Sequence, residues 1–277
     1  MQNTLAEGWQ AQLTLGFSRS GQRTVLGRRR HSGPLQVQKP FYPEADGACH
    51  VYILHPPGGV VAGDDLRVNI VADSNTHVLL TTPAATKFYR SSGPKARQVQ
   101  QLQLAHDAAL EWLPQETIVY EGAQVDTTTR VELSGNARFI GWEILCLGRP
   151  AANERYTNGV CRQRFEVWRD GTPLFLERGR YIGNSELLQA HWGLQQQPVT
   201  ATLVCTIEQA GLAAALREAL MTMETALLSV SQLTDVLVCR YLGPSVEQAK
   251  AWFTQAWSLL RTAILGKPAC PPRIWNT

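Results

Sequence analysis

From about residue 8 to about residue 208 the chain is built of short stretches with a two-residue rhythm. WQAQLTLGFS, RVNIVAD and RVELSG alternate between apolar and polar positions, the period of a strand with one buried face. HVLLTT and RFIGWEILCL are more continuously apolar, as strands covered on both faces are. VCRQRFEVWRDGTPLFLERGRY reads as two strands joined at Asp170-Gly171, a pair suited to the left-handed backbone of a tight hairpin. The clusters PEADGA, PPGG, ADSN, SSGP, SGN and RDG supply turns roughly every ten to fifteen residues, the spacing of a sandwich, a barrel or stacked sheets. No residue-level repeat is visible.

Near residue 208 the pattern changes. EQAGLAAALREALMTMETALL is rich in strong helix formers, and Leu212, Leu216, Leu220 and Met223 recur on one helical face. SQLTDVLVCRYLG then reads as a strand. PSVEQAKAWFTQAWSLLRTAIL reads as a second helix, capped by Ser245 and stopped at Gly266. The expectation is a single domain over residues 1–277: a β body over about 8–208 and a helix-containing portion over about 209–277.

Composition narrows this picture only a little. With 44% hydrophobic and 18% charged residues, the 277-residue chain has the make-up of a soluble globular protein with a sizeable core. A net charge of +3 predicts no broad polyanion surface, and hence no nucleic acid partner. The single basic run, Arg28 to Arg30, is expected at a solvated edge or as a dock for an acidic partner. No stretch has the length of a membrane-spanning helix, and the N-terminus does not read as a signal peptide. The cysteines Cys49, Cys146, Cys161, Cys205, Cys239 and Cys270 form no CxxC pair and are expected as buried free thiols of a cytoplasmic protein.

Candidate chemistry centres on HPPGGVVAGDDL, residues 55–66. The stretch lacks the lysine of a phosphate loop and puts carboxylates where phosphates would sit, so nucleotide binding fails. It is either a structural turn or a loop presenting Asp64 or Asp65. No GxSxG, HExxH or zinc-spaced Cys/His quartet appears. Neighbours Cys49 and His50 point to opposite faces of a strand and do not chelate together. Glu143 and Glu177 stand in apolar strands, where a carboxylate is costly unless paired or hydrated. Three readings remain: a buried ion pair with Arg178 or Arg180, a β-fold hydrolase using paired carboxylates, or a polar passage through the β body.

HPPGGVVAGDDL, TTPAATKFYRS, LEWLPQETIVYEGA, GWEILCLGRPAANERYTNG and the closing PPRIW, in this order over nearly the whole chain, resemble the urease accessory protein D family. Asn153 departs from the pattern, which more commonly has glycine or another small residue before the glutamate. The resemblance implies a non-catalytic maturation chaperone with a mainly β, helix-like stack of strands and a small helical C-terminal portion. It implies binding to urease apoprotein and to accessory proteins F and G, the latter a GTPase, and delivery of nickel to the dinuclear urease centre. No cofactor would be permanently bound, and nickel would be handled transiently along an internal tunnel. The matching positions imply Asp64, Thr86, Glu143 and Glu177 as lining residues. Trp252, Trp257, Arg273 and Trp275 are candidates for partner binding, since the last helix and tail carry more aromatic surface than one helix-on-sheet contact requires.

Overall fold

A computed structural model describes residues 8–207, 211–220 and 222–276. The first strands are β1 (Gln10–Ser20), β2 (Arg23–Ser32), β3 (Gln36–Val37), β4 (Cys49–Leu54), β5 (Asp65–Ala72) and β6 (His77–Thr81). Next come β7 (Thr86–Phe88), β8 (Ala96–Leu104), β9 (Ala109–Trp112), β10 (Thr117–Val119), β11 (Gln124–Leu133) and β12 (Arg138–Leu147). The chain continues through β13 (Val160–Arg169), β14 (Thr172–Ile182), helix α1 (Glu186–Gln189), β15 (Val199–Thr206) and helix α2 (Leu212–Ala219). It ends with β16 (Leu227–Gln232), β17 (Val236–Gly243) and helix α3 (Val246–Leu265).

The strands wind as a solenoid. β4, β6, β9 and β12 stack in parallel on one side, and β5, β8, β11 and β13 stack in parallel on the other. Short β7 and β10 pair with each other and β10 with the end of β12, which makes a third, narrower wall. Register partners such as Thr86 and Thr117, or Asp65 and Arg97, lie roughly thirty residues apart, the length of one rung in repeat architectures. The repeat is therefore one of geometry, carried by alternation and turns. Hairpins close the stack: β1–β2 and β13–β14 flank the first sheet, and the antiparallel strands β15, β17 and β16 extend the second. The hairpin expected at Asp170-Gly171 is present, with both residues at positive φ. Asn153 has φ 55°, a left-handed backbone that asparagine tolerates and glycine adopts freely.

β2 is an edge strand, and Arg28 to His31 are exposed along it, so the basic run occupies a solvated edge. All six cysteines are free, and all but Cys270 are buried. No helix among the described residues is long and apolar enough to cross a membrane.

The C-terminal portion departs from expectation at one place. The long helix expected from Glu208 is α2 alone; Glu208, Gln209, Ala210 and Met221 lie outside the described residues. Leu220 is already extended, and Leu227 and Leu228, expected at the end of the helix, begin β16 instead. Hydrogen bonding along β17 outweighs the helix preference of this segment, and LLSVSQ also carries a strand's alternation. The single strand expected in SQLTDVLVCRYLG is thus the end of β16, the turn of a hairpin and its second arm β17.

α3 matches its sequence signals. Ser245 accepts a hydrogen bond from the Gln248 amide at 3.2 Å, and Gly266 ends the helix at φ 66°. Ser245→Ala lowers stability by about 1 kcal/mol, read as a shift of the denaturant midpoint without a change of slope. The helix lies over β12, β15 and β17, where Trp252, Phe253, Trp257 and Leu260 pack on Ile140, Trp142 and Ile144. Beneath it runs a chain of ion pairs, buried at Arg261 and Glu111 and opening to solvent at Lys267 and Asp46. Arg261 Nε donates to both oxygens of Glu111 at 3.1 and 3.0 Å, and Nη2 donates to both oxygens of Glu44 at 2.7 Å. Glu111 also accepts from Trp257 Nε1 at 2.6 Å and contacts His77 Nε2 at 2.7 Å. Lys267 reaches His77 Nδ1 at 2.9 Å and pairs with Asp46. Burial alone would raise both glutamates. Hydrogen bonds from His50 and Arg261 instead hold Glu44 down to about 2, and His77 and Arg261 hold Glu111 below the usual range.

Candidate functional site

Inward-facing side chains of the first sheet align in rows across the strands. One row contains Ile70, Leu102, Val131, Val167 and Phe175, an ordinary apolar layer. The two rows beside it break the pattern. Leu66 is followed by Gln98, Thr127 and Gln163, and Val68 by Gln100, Thr129, Phe165 and Glu177. Facing them from β12 is Glu143, whose register neighbours are Thr202 on β15 and Arg240 on β17. Strand alternation places these groups inside the solenoid, in the phase that the other layers fill with aliphatic residues.

The polar rows line an internal cavity of about 260 Å³. Glu143, Gln163, Gln98, Gln100 and Thr127 form its inner part, and Thr86, Gln115 and Thr117 continue the wall. His55 and the Pro56–Gly59 turn form another side. Glu143 is enclosed by protein yet keeps part of its surface against this space. Its carboxylate accepts from Gln163 Nε2 at 2.5 Å, and the Thr129 hydroxyl is in reach. Burial is the main influence on it, and the charge of Glu177 adds to that; the two neutral donors only partly compensate. The result is a carboxyl pushed up to about 7, which takes up or gives up a proton near neutral pH. His55 is held below its usual range by burial, with Asp64 opposing, and its Nε2 has no hydrogen-bond partner.

The structure brings Thr86 and Glu143 together on one cavity. Glu177 is close enough to Glu143 for its charge to be felt there but is not among the lining residues, and its partner is Arg240 at 3.3 Å. The ion pair expected with Arg178 or Arg180 is corrected: those side chains stand on the opposite face of β14, where Arg178 reaches Glu166. Asp64 is placed in the turn and is not among the residues lining this cavity: its two oxygens accept from the backbone N–H groups of Trp9 and Val61 at 2.8 and 2.9 Å, beside Gly63 at φ 85°. Trp252 and Trp257 are buried on the inner face of α3, so core packing takes the place of the partner contact expected of them. Trp275 is half-buried against Trp142 and Trp257 and donates to Thr81 Oγ1 at 2.9 Å, whereas Arg273 is exposed. The sequence reading missed His55, Gln98, Gln100, Thr127, Thr129 and Gln163. For the glutamines and threonines a signal was present: they occupy the phase that their own strands, ARQVQQLQL and QVDTTTRVEL, otherwise keep apolar.

Residues 10–276 match the family model of the UreD urease accessory protein. The chain is 47% identical over 272 residues to urease accessory protein UreD of Azoarcus sp. (strain BH72), covering 98% of this chain and 95% of that protein. It is 46% identical over 275 residues to urease accessory protein UreD 2 of Brucella anthropi, covering 99% and 100%. The corresponding protein of Citrobacter koseri is 41% identical over 274 residues, covering 99% and 94%.

Proposed function

Because this chain belongs to the UreD urease accessory protein family, we propose that its internal polar cavity is a stage on the route by which nickel reaches urease. The family places the chain in urease maturation, as an accessory protein acting with urease and other accessory proteins rather than as an enzyme. In the proposal, the chain binds urease apoprotein together with accessory proteins F and G in the cytoplasm. Nickel is cargo here, held briefly and passed on.

One observation carries the reading: two rows of side-chain oxygen donors, with a titratable carboxylate, fill a space that the rest of the solenoid packs with aliphatic groups. Such a substitution of polar for apolar groups costs stability unless it serves a ligand or water. The donors also suit a moving ion. Amide, hydroxyl and carboxylate oxygens hold nickel less tightly than a closed cage of imidazole and thiolate, and a series of weak sites passes an ion where a strong one traps it. His55 offers a neutral imidazole at the HPPGG side, Glu143 a carboxyl that exchanges its proton for a cation, and Glu177 a further carboxylate near Glu143. The hydrolase alternative has no support. Both Asp64 oxygens are engaged by the main chain, Glu177 is tied to Arg240, and the matched proteins are accessory proteins.

The test uses cells carrying urease and its full accessory set. Glu143→Leu combined with Glu177→Gln lowers urease activation by about tenfold or more, equal to roughly 1.4 kcal/mol on the transfer barrier, while pull-down recovers the complexes intact. Wild-type activation in this variant sinks the passage and leaves the carboxylates with structural roles.

A further inference from the structure

Away from the cavity, on the side where the chain leaves α3, three side chains from distant parts of the sequence converge. Glu44 comes from the loop before β4, His50 from β4 itself, and Cys270 from the segment after α3. One potential ligand atom from each lies within 4.8 Å of the other two. We propose that Glu44, His50 and Cys270 form a binding site for a divalent transition metal ion of zinc or nickel type, separate from the passage described above.

Four observations carry this. First, the donor set is carboxylate, imidazole and thiol, the combination that suits borderline ions and excludes magnesium and calcium, which take oxygen alone. Second, His50 is wholly buried and its Nε2, the ring nitrogen turned to the cluster, stands 2.7 Å from Glu44 Oε1. Third, Glu44 and Cys270 are only half-buried, so the cluster is open to an ion arriving from solvent. Fourth, the geometry supplies an orienting layer and an entrance. Arg261 fixes the Glu44 carboxylate, as groups behind metal ligands do, and Cys270 is the one cysteine that is not buried.

Binding is written with its protons. Cys270 Sγ loses its proton to solvent and coordinates as thiolate. His50 binds as neutral imidazole through the nitrogen facing the ion, with its proton on the other ring nitrogen. Glu44 contributes one oxygen and keeps its contact with Arg261. Three protein ligands leave a fourth position for water, so the ion exchanges with solvent or with a partner's ligands. Affinity falls as the pH drops, because protons compete for the thiolate and imidazole.

The experiment exploits the burial of the other five thiols. The full chain, reduced and metal-free, is treated with a maleimide under native conditions, so that Cys270 is the site of reaction. Equimolar Zn²⁺ or Ni²⁺ slows this labelling by about tenfold or more, and Glu44→Gln removes most of the protection. Co²⁺ serves as the optical probe: it produces a sulfur-to-cobalt charge-transfer band that Cys270→Ser abolishes. Labelling unaffected by excess Zn²⁺ and Ni²⁺ overturns the proposal without reference to any variant. So does a charge-transfer band that persists in Cys270→Ser. Glu143→Leu leaves protection and band unchanged, so this site and the passage stand or fall separately.

Discussion

Replacing Arg261 with methionine lowers the unfolding free energy by roughly 3–5 kcal/mol, the cost of leaving buried carboxylates without their cation. Arg261 has no exposed surface and donates to Glu111 and Glu44 at once, so no solvent takes over its role. A surface ion pair would give a small fraction of this effect. The comparison that isolates the cause is the triple variant Glu44→Gln/Glu111→Gln/Arg261→Met. With the charges gone from all three positions, much of the loss is recovered, because the penalty belongs to the unpaired anions rather than to the missing contact. Denaturant midpoints of the single and triple variants measure both numbers. Equal instability of the two would mean that packing around Arg261, and not charge, holds α3 in place.

The second large effect is a pH dependence with a defined sign. Glu143 is raised in the folded chain from an ordinary value near 4.5 to about 7. Between those values the folded state holds a proton that the unfolded state has released, so stability falls as the pH rises through this window. A difference of this size is worth roughly 3 kcal/mol once the pH is above 7. Glu143→Gln carries no such cost, so its stability relative to wild type climbs between pH 5 and pH 8 and then levels. Glu44 acts in the opposite sense and elsewhere. It is held down to about 2, and its contribution is lost as the pH falls below the ordinary carboxylate value towards 2. Stability curves of wild type and Glu143→Gln that stay parallel from pH 5 to pH 8 would show that Glu143 titrates as an ordinary carboxylate.

Much of this architecture was legible in the sequence because strand alternation is local. RVNIVAD, HVLLTT and RFIGWEILCL announced β5, β6 and β12, and Ser245 and Gly266 bracketed α3. Where a segment's fate depended on distant partners, the text misled. Leu227 and Leu228 continue a run of good helix formers, and pairing with β17 draws them into a strand. The site divides in the same way. Glu143 stood out because a carboxylate in RFIGWEILCL is conspicuous. The partner of Glu177 could not be read, since Arg178 and Arg180 are adjacent in sequence but opposite in direction, while Arg240 is remote in sequence and adjacent in space. Glu44, His50 and Cys270 have no common motif at all; their meeting depends on the chain after α3 folding back over β4.

The pairing of Glu44 with Arg261 spans 217 residues and has a consequence for how the protein is made. On the ribosome the first rungs emerge and wind while the guanidinium that neutralises their interior is still untranslated. Until then Glu44 and Glu111 keep their water, and the face that receives α3 stays bare, with Trp142 and Ile144 uncovered. A loss of the last turns of α3 therefore does more than shorten a helix: it leaves the nascent solenoid in its unsealed state, open to proteases and to self-association. The arginine of α3 acts as a late latch of synthesis, closed only long after the first rungs have emerged.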